Sequence, residues 1–204
     1  NLPNVGLGHQ KGAGKLKEVI SWLSLVNGVK QLTVYAFSLL NFNRSEDEVK
    51  ALMDLAEITF KDMADTRALF DQYQCKIRFI GRTDLLEERV RRQIKRVEDA
   101  GREDAPFTLN ICVCYTAHDE MEYAREKCIN QKADLTYDNV FSNLMLPSKP
   151  DILIRTSGVY RMSNFLLMQC SNTPINVTNS LWPEISFWDV LKILVRYQLR
   201  GYVD

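Results

Sequence analysis

Two arginines bracket a short polar loop in the stretch DILIRTSGVYRMSNFLLMQC, residues 151–170. Arg155 ends an apolar, strand-like run, and Arg161 precedes an apolar, helix-like run. A loop between a strand and a helix suits an anion because free backbone N–H groups and the positive end of the helix dipole lie at the helix start. Guanidinium groups add planar, permanent positive charge that matches phosphate oxygens. The pattern predicts a phosphate or diphosphate site, the alternative being that both arginines pair with carboxylates at a sheet edge.

The elements that would hold this loop alternate along the chain. Five apolar, β-branched runs predict strands: QLTVYAF (31–37), CKIRFIG (75–81), FTLNICVCY (107–115), DILIR (151–155) and PINVTNSL (174–181). Apolar residues at helical spacing and capping signals predict helices over 14–28, 45–72, 84–100, 118–130, 136–146 and from Ser186 through Gln198. This alternation favours an α/β fold: one domain with a central, mostly parallel sheet and helices on both faces.

Polar residues follow the first, third and fourth predicted strands. In a parallel sheet, ligands bind beyond the carboxyl ends of the strands. We therefore expect one rim to collect Ser38, Asn41, Arg44, Thr116, Arg155, Ser157, Arg161, Ser163 and Asn164.

Several of these residues have a plainer interpretation. Ser38 and Asn41 are also typical of a turn that bonds its own backbone, and Arg44 is typical of a solvated charge ahead of a helix. His9 lies in the glycine-rich segment GLGHQKGAG, which either binds phosphate or is only a loop. The spacing of its glycines matches neither the P-loop nor the dinucleotide-binding motif.

Composition narrows the function classes. Lysine plus arginine and aspartate plus glutamate are 26 each, so no overall field attracts nucleic acid or an anionic membrane. The five cysteines lack the paired C-x-x-C spacing of a zinc site and are expected to be reduced and mostly buried. No apolar run reaches the length of a transmembrane helix. A soluble or peripherally membrane-associated protein without a nucleic-acid partner is expected.

The motifs GHQKG (8–12), YAFSLLNFNRSEDEV (35–49), FTLNICVCYTAHDEM (107–121), PDILIRTSGVYRMSNFLLMQ (150–169) and LWPE (181–184) together resemble the cis-prenyltransferases, the undecaprenyl and dehydrodolichyl diphosphate synthase family. The resemblance covers nearly the whole chain, and the segment YTAHDE favours the eukaryotic dehydrodolichyl branch. It implies an enzyme that adds isopentenyl diphosphate repeatedly to an allylic diphosphate such as farnesyl diphosphate, with Mg²⁺ as cofactor. The product would be a long-chain polyprenyl diphosphate for dolichol synthesis.

The resemblance also implies roles for single residues. Arg155, Arg161 and Ser163 would bind isopentenyl diphosphate. Ser38 and Asn41 would orient the reacting centre and help to remove its proton, and Arg44 with His9 would lie near the allylic diphosphate. The helical stripe 49–63 would form one wall of a tunnel for the growing chain.

Departures from the family pattern concern the metal. The Asp-Gly-Asn-Arg-Arg stretch with the magnesium-binding aspartate, on the family's first strand, should stand before Asn1, and we expect the given sequence to be trimmed there. Acidic residues of other members are replaced by Leu40, Val159 and Pro174. The metal ligands are therefore not assigned to any residue of the chain 1–204, which is otherwise expected to form the catalytic domain.

The last predictions concern the partner and the location. The chain closes RYQLRGYVD, without the Arg-x-Gly tail that homodimeric members extend into their neighbour. Either a homodimer with a trimmed tail or a heteromer with a second family member is expected. A noncatalytic partner subunit is the alternative function. The dehydrodolichyl branch implies the cytoplasm, at the endoplasmic reticulum membrane.

Overall fold

The computed structural model describes residues 3–66, 75–102 and 104–201, without the side chains of residues 3–10 and Ala13. Within these ranges, three strands form a parallel sheet in the order β1-β3-β2 and two further strands form a parallel pair. The strands are β1 (Gln31–Ser38), β2 (Cys75–Ile80), β3 (Phe107–Tyr115), β4 (Leu153–Arg155) and β5 (Ile175–Val177). The helices are α1 (Pro3–Leu23), α2 (Glu46–Asp65), α3 (Glu88–Ala100), α4 (Ala117–Asn130), α5 (Tyr137–Ser142) and α6 (Phe187–Leu199), and 3-10 turns cover Leu39–Asn43, Thr83–Leu85 and Trp182–Glu184.

Strand β3 lies at the centre of the fold and is buried on both faces. Its residues Leu109, Ile111 and Val113 pack into one apolar cluster with α1, α2, α3 and α6. Cys112 and Tyr115 pack into a second cluster formed with the start of α4 and with the segments around β4. Burial on both faces explains why this strand has a nearly continuous apolar sequence. The predicted fold class, a single α/β domain with a parallel sheet and helices on both faces, is confirmed.

Side-chain caps explain where helices α4 and α6 begin. The Thr116 hydroxyl accepts a hydrogen bond from the Asp119 N–H at 3.2 Å, which starts α4 directly after β3. Helix α6 begins after Ser186, as predicted, where Ser186 and Asp189 form a reciprocal capping box. The five cysteines are free and buried, as predicted.

The segment after β4 differs from its predicted helix. Residues 163–172 form successive turns, because Ser163, Asn164 and Leu166 have left-handed φ values of 49°, 59° and 45°. A right-handed helix cannot pass through such residues. The predicted helix dipole beside Arg161 is therefore absent, and that part of the prediction is wrong.

The glycine-rich segment near His9 is not a loop, since it belongs to helix α1. Phosphate binding by this segment stays a prediction. A Cβ atom on Gly12 would lie 3.3 Å from Trp182 Cδ1, and Trp182 Nε1 donates a hydrogen bond to the Gly12 carbonyl at 3.0 Å. This glycine allows close packing of α1 on the Trp182 ring. The last six residues of the predicted helix 45–72, residues 67–72, lie outside the described residues.

None of the described helices combines the length and the apolar composition needed to cross a membrane.

Candidate functional site

A cavity of about 1700 Å³ is lined by residues of α1, β1, α2 and β4 and by the loop 156–162. Its wall is mostly apolar. Helix α2 contributes Leu52, Met53, Ala56, Phe60 and Met63, all from the predicted stripe. Val49, the first residue of that stripe, instead borders a separate depression. A cavity with this lining suits an apolar ligand.

Arg155 and Arg161 both lie on the lining of this cavity. Arg155 Nη1 donates a hydrogen bond to the Ser163 hydroxyl at 3.1 Å. Arg161 is exposed, and neither guanidinium has a carboxylate partner among the residues that the structure describes. The described residues therefore do not support the alternative that both arginines pair with carboxylates. Two guanidiniums that have no carboxylate partner in the described part of the chain instead adjoin an apolar cavity.

The loop that joins the two arginines is held by the segment after β5. The N–H groups of Ser157 and Gly158 donate to the carbonyls of Ser180 and Thr178, both at 2.9 Å. These two N–H groups are thus already bonded within the fold. Gly158 has a φ of +66°, and a Cβ atom there would lie 2.8 Å from Asn179 Oδ1.

Ser38 and Asn41 lie together at the end of β1. The Ser38 hydroxyl accepts from the Leu40 N–H at 3.2 Å, and Asn41 Oδ1 accepts from the Ser38 N–H at 2.8 Å. Both residues therefore form the turn that the plainer interpretation predicted. This turn fixes their positions, and a role in catalysis stays a prediction.

An aromatic cluster joins the end of β1 to the turns after Arg161. The rings of Tyr35 and Phe165 are stacked with centroids 4.9 Å apart, and the Tyr35 hydroxyl donates to the Tyr115 carbonyl at 2.9 Å. Burial raises the pKa of Tyr35, and its hydrogen bond with Ser38 partly offsets this rise. The carboxyl ends of β1 and β3 thus meet the turns that carry Ser163.

The structure does not bring all the predicted residues to the cavity. Arg44 lies beside the separate depression, exposed, with Nη1 3.7 Å from Glu48 Oε1. Thr116 and Asn164 bond to the start of α4, where the Ala117 N–H donates to the Asn164 carbonyl at 2.8 Å. His9 lies in α1, and its side chain is outside the description.

Sequence reasoning missed the buried residue Glu120. It is 1% exposed, and its carboxylate accepts hydrogen bonds from Tyr115, Gln169 and the Leu146 N–H. A signal for its burial was present, since it shares the helical spacing of the small buried residues of α4: Ala117, Ala124 and Cys128.

No group of three or more His, Cys, Asp or Glu side chains within residues 3–66, 75–102 and 104–201 could hold a metal ion. The described residues therefore supply no such cluster for the predicted Mg²⁺, and none of the steps proposed below passes through it.

Residues 2–202 match the family model described as "Putative undecaprenyl diphosphate synthase". The chain belongs to this family, the cis-prenyltransferases. A tritrans,polycis-undecaprenyl-diphosphate synthase (geranylgeranyl-diphosphate specific) of Thermococcus kodakarensis is 34% identical over 95% of this chain and 76% of its own length. The dehydrodolichyl diphosphate synthase complex subunit DHDDS of Homo sapiens is 34% identical over 96% of this chain, which spans 61% of that relative.

Solved structures of the cis-prenyltransferases agree with the fold. The crystal structure of a probable undecaprenyl diphosphate synthase from Campylobacter jejuni superposes with a TM-score of 0.86 at 27% identity, covering 95% of this chain and 91% of the other. Lavandulyl diphosphate synthase from Lavandula x intermedia, crystallised with dimethylallyl diphosphate, gives 0.83 at 30% identity over 95% and 86%. The predicted family and enzyme class, prenyltransferase, are confirmed.

Proposed function

We propose that residues 1–204 form the catalytic domain of a cis-prenyltransferase that condenses isopentenyl diphosphate with an allylic diphosphate to make a long-chain polyprenyl diphosphate. One observation carries the proposal: two guanidiniums without carboxylate partners in the described chain lie on the lining of a large apolar cavity. A diphosphate with an isoprenoid tail is complementary to both features. Its concentrated negative charge would bind the guanidiniums, and its apolar chain would lie in the cavity. Arg155, Arg161 and Ser163 would bind the diphosphate of isopentenyl diphosphate.

The reaction makes clear demands on the protein. The C–O bond of the allylic diphosphate breaks, diphosphate leaves with the electron pair, a new C–C bond forms to isopentenyl diphosphate, and a proton is lost from the extended chain. Ser38 and Asn41, whose turn fixes their positions at the end of β1, would orient the reacting centre and help to remove this proton. The mostly apolar cavity wall would exclude water from the reactive allylic group.

Growth of the product requires space along α2. Seven residues of this helix line the cavity: Leu52, Met53, Leu55, Ala56, Thr59, Phe60 and Met63. Bulk at these positions would limit the length of the polyprenyl chain, as expected for a tunnel wall. Arg44 and His9 stay proposed contacts of the allylic diphosphate, although Arg44 borders the separate depression.

The primer, the pathway and the partner are also proposals. The human relative is named as a dehydrodolichyl diphosphate synthase complex subunit, which supports dolichol synthesis and a second subunit. The location at the endoplasmic reticulum membrane rests on the resemblance to the dehydrodolichyl branch alone. The archaeal relative is named as geranylgeranyl-diphosphate specific, which supports a longer primer than farnesyl diphosphate. We propose Mg²⁺ as the cofactor and a dimer, with a homodimer and a heteromer as the two forms to test.

The test is to purify the full-length protein alone and measure incorporation of labelled isopentenyl diphosphate with Mg²⁺ and either farnesyl or geranylgeranyl diphosphate. Polymer formation by the lone protein supports a self-sufficient enzyme. Activity only after addition of a second family member supports the heteromer. A protein that stays inactive while its partner is active alone is the noncatalytic subunit.

Ser38→Ala and Asn41→Ala test the roles at the reacting centre. We expect turnover to fall more than either Michaelis constant rises, because groups that act on the reacting atoms stabilise the transition state selectively. Wild-type turnover in both variants would leave these residues as turn formers only.

A further inference from the structure

Glu120 is a buried carboxylate that the proposed reaction does not use. Its Oε2 accepts from the Tyr115 hydroxyl at 2.5 Å and from Gln169 Nε2 at 2.8 Å, and its Oε1 accepts from the Leu146 N–H at 2.9 Å. Burial raises the pKa of Tyr115, with a further rise from the charge on Glu120, so the phenol stays protonated and donates. A buried carboxylate is costly unless its oxygens are satisfied, and these three donors satisfy them.

The three donors come from three different segments. Tyr115 ends β3, Leu146 lies between α5 and β4, and Gln169 lies in the turns after β4. Gln169 is itself 1% exposed, and its Nε2 also donates to the Leu146 carbonyl at 3.2 Å. One carboxylate therefore ties the turns after β4 to the centre of the fold.

Those turns carry backbone strain that needs such support. Ser163, Asn164 and Leu166 all have left-handed φ values without being glycine. This conformation persists only where surrounding contacts fix it. Asn164 provides contacts on one side, since its carbonyl and its Oδ1 accept from the N–H groups of Ala117 and His118. The hydrogen bond between Gln169 and Glu120 provides a fixing contact on the C-terminal side of the turns.

We propose that Glu120 is a positioning residue for the diphosphate site, an inference that rests on the proposed function. Through Gln169 it fixes the turn at residues 163–166, and that turn sets the direction of the Ser163 hydroxyl that Arg155 contacts. Glu120 is buried and acts through other residues without touching the substrate.

A merely structural role would have a different signature. A buried network that only holds the fold together would lower the melting temperature when it is broken, and the folded fraction would keep its substrate affinity. A positioning role changes the affinity for one substrate in the folded protein. The Michaelis constant of isopentenyl diphosphate therefore separates the two roles.

The test compares the full-length wild type with Glu120→Gln. The amide keeps the shape of the side chain but has a single acceptor oxygen and no charge, so at least one of the three donors loses its acceptor. We expect the Michaelis constant of isopentenyl diphosphate to rise about tenfold, the scale of one hydrogen bond to the diphosphate lost when the Ser163 hydroxyl is displaced. The turnover number and the Michaelis constant of the allylic diphosphate should change less than about threefold.

Asn110→Ala is the matched control. Asn110 is fully buried in β3 and donates to Thr33 Oγ1 at 3.2 Å, so its loss should lower the melting temperature and leave both Michaelis constants unchanged. If Glu120→Gln does not fold, Gln169→Leu breaks the same connection from the other side and should give the same rise for isopentenyl diphosphate.

The outcomes separate the two proposals. An active wild type whose Michaelis constant for isopentenyl diphosphate is unchanged in the folded variants overturns the positioning role alone. A wild type that does not use isopentenyl diphosphate, alone or with a second subunit, overturns the proposed function and this inference with it.

Discussion

Arginine plays opposite parts in two regions of the molecule, the α2–α3 helix pair and the loop 155–163. In the helix pair, Arg89 contacts three carboxylates: Asp54 at 2.5 Å, Glu57 at 2.9 Å and Glu87 at 2.7 Å. Their hydrogen bonds and charges raise the pKa of Arg89. This arginine joins α2 to α3 at the surface, and three carboxylates compensate its charge.

In the loop 155–163, Arg155 bonds to the Ser163 hydroxyl, and Arg161 has no carboxylate partner in the described parts of the chain. The two regions together show that the role of an arginine is indicated by its partners and not by its charge alone. An arginine with carboxylates around it supports the structure, whereas one without them is available to an external anion.

The largest effect should be a loss of stability caused by a substitution at a glycine after β2, away from the loop 155–163. Gly81 follows β2 with a φ of +125°, and a Cβ atom there would lie 2.2 Å from the Val113 carbonyl oxygen. We expect Gly81→Ala to reduce the free energy of unfolding by about 3 kcal/mol or more, from strain and overpacking. Denaturant titration measures this loss.

Gly14→Ala is the matched control, since a Cβ atom at Gly14 meets nothing within 4 Å. It should be neutral or slightly stabilising. Equal stability losses at the two glycines would contradict the close approach at Gly81.

The second effect should fall on binding. Replacing both Arg155 and Arg161 by alanine removes two charge-assisted contacts, so the affinity for isopentenyl diphosphate should fall about 100-fold. The melting temperature should change little, because neither side chain has a carboxylate partner to lose in the described chain. Calorimetric titration with isopentenyl diphosphate checks the affinity, and unchanged binding would contradict the anion site.

A smaller loss of stability is expected at alkaline pH, because buried thiols in the core around β2 and β3 would then have to ionise. Burial raises the pKa of the Cys75 thiol to about 11 and that of Cys114 to about 12. A pKa raised in the folded state gives stability that is fully present below the unfolded value of 9.0 and is lost as pH rises through the folded value. Melting temperatures should fall from about pH 9 upward, and less steeply in Cys75→Ala. Identical pH profiles would show that this thiol does not contribute.

The smallest effect should be that of Arg89→Ala. Its ion pairs are at the surface, so solvent and salt screen them. We expect a slight decrease in melting temperature that disappears at high salt, with no change in the Michaelis constant of isopentenyl diphosphate. A loss of substrate affinity here would remove the distinction between the two regions.

Much of the fold followed from sequence periodicity and caps. The predicted strands at 31–37, 75–81 and 107–115 match β1, β2 and β3 to within one residue. Short, β-branched apolar runs between turn residues favour buried strands over helices. The N-caps Ser45 and Ser186 lie where the sequence indicated. These signals are local, which is why one sequence sufficed to find them.

The turns after β4 could not be predicted in this way. The apolar spacing around Phe165 and Leu166 is typical of a helix, but contacts with α4 override it. The bond between Glu120 and Gln169 spans 49 residues, and no local pattern encodes it. The cavity likewise depends on how α2, β1 and β4 lie in space, which the sequence alone does not give.

The contact between Trp182 and Gly12 has a consequence for the order of folding during synthesis. Its two partners are 170 residues apart, so the ribosome makes α1 long before the ring that packs on it. Strand β1 likewise waits for β3, since Gln31 pairs with Thr108. Contacts this distant in sequence form slowly, because the intervening chain must first be ordered. Helix α1 therefore reaches its final place only after the second half of the chain has been translated.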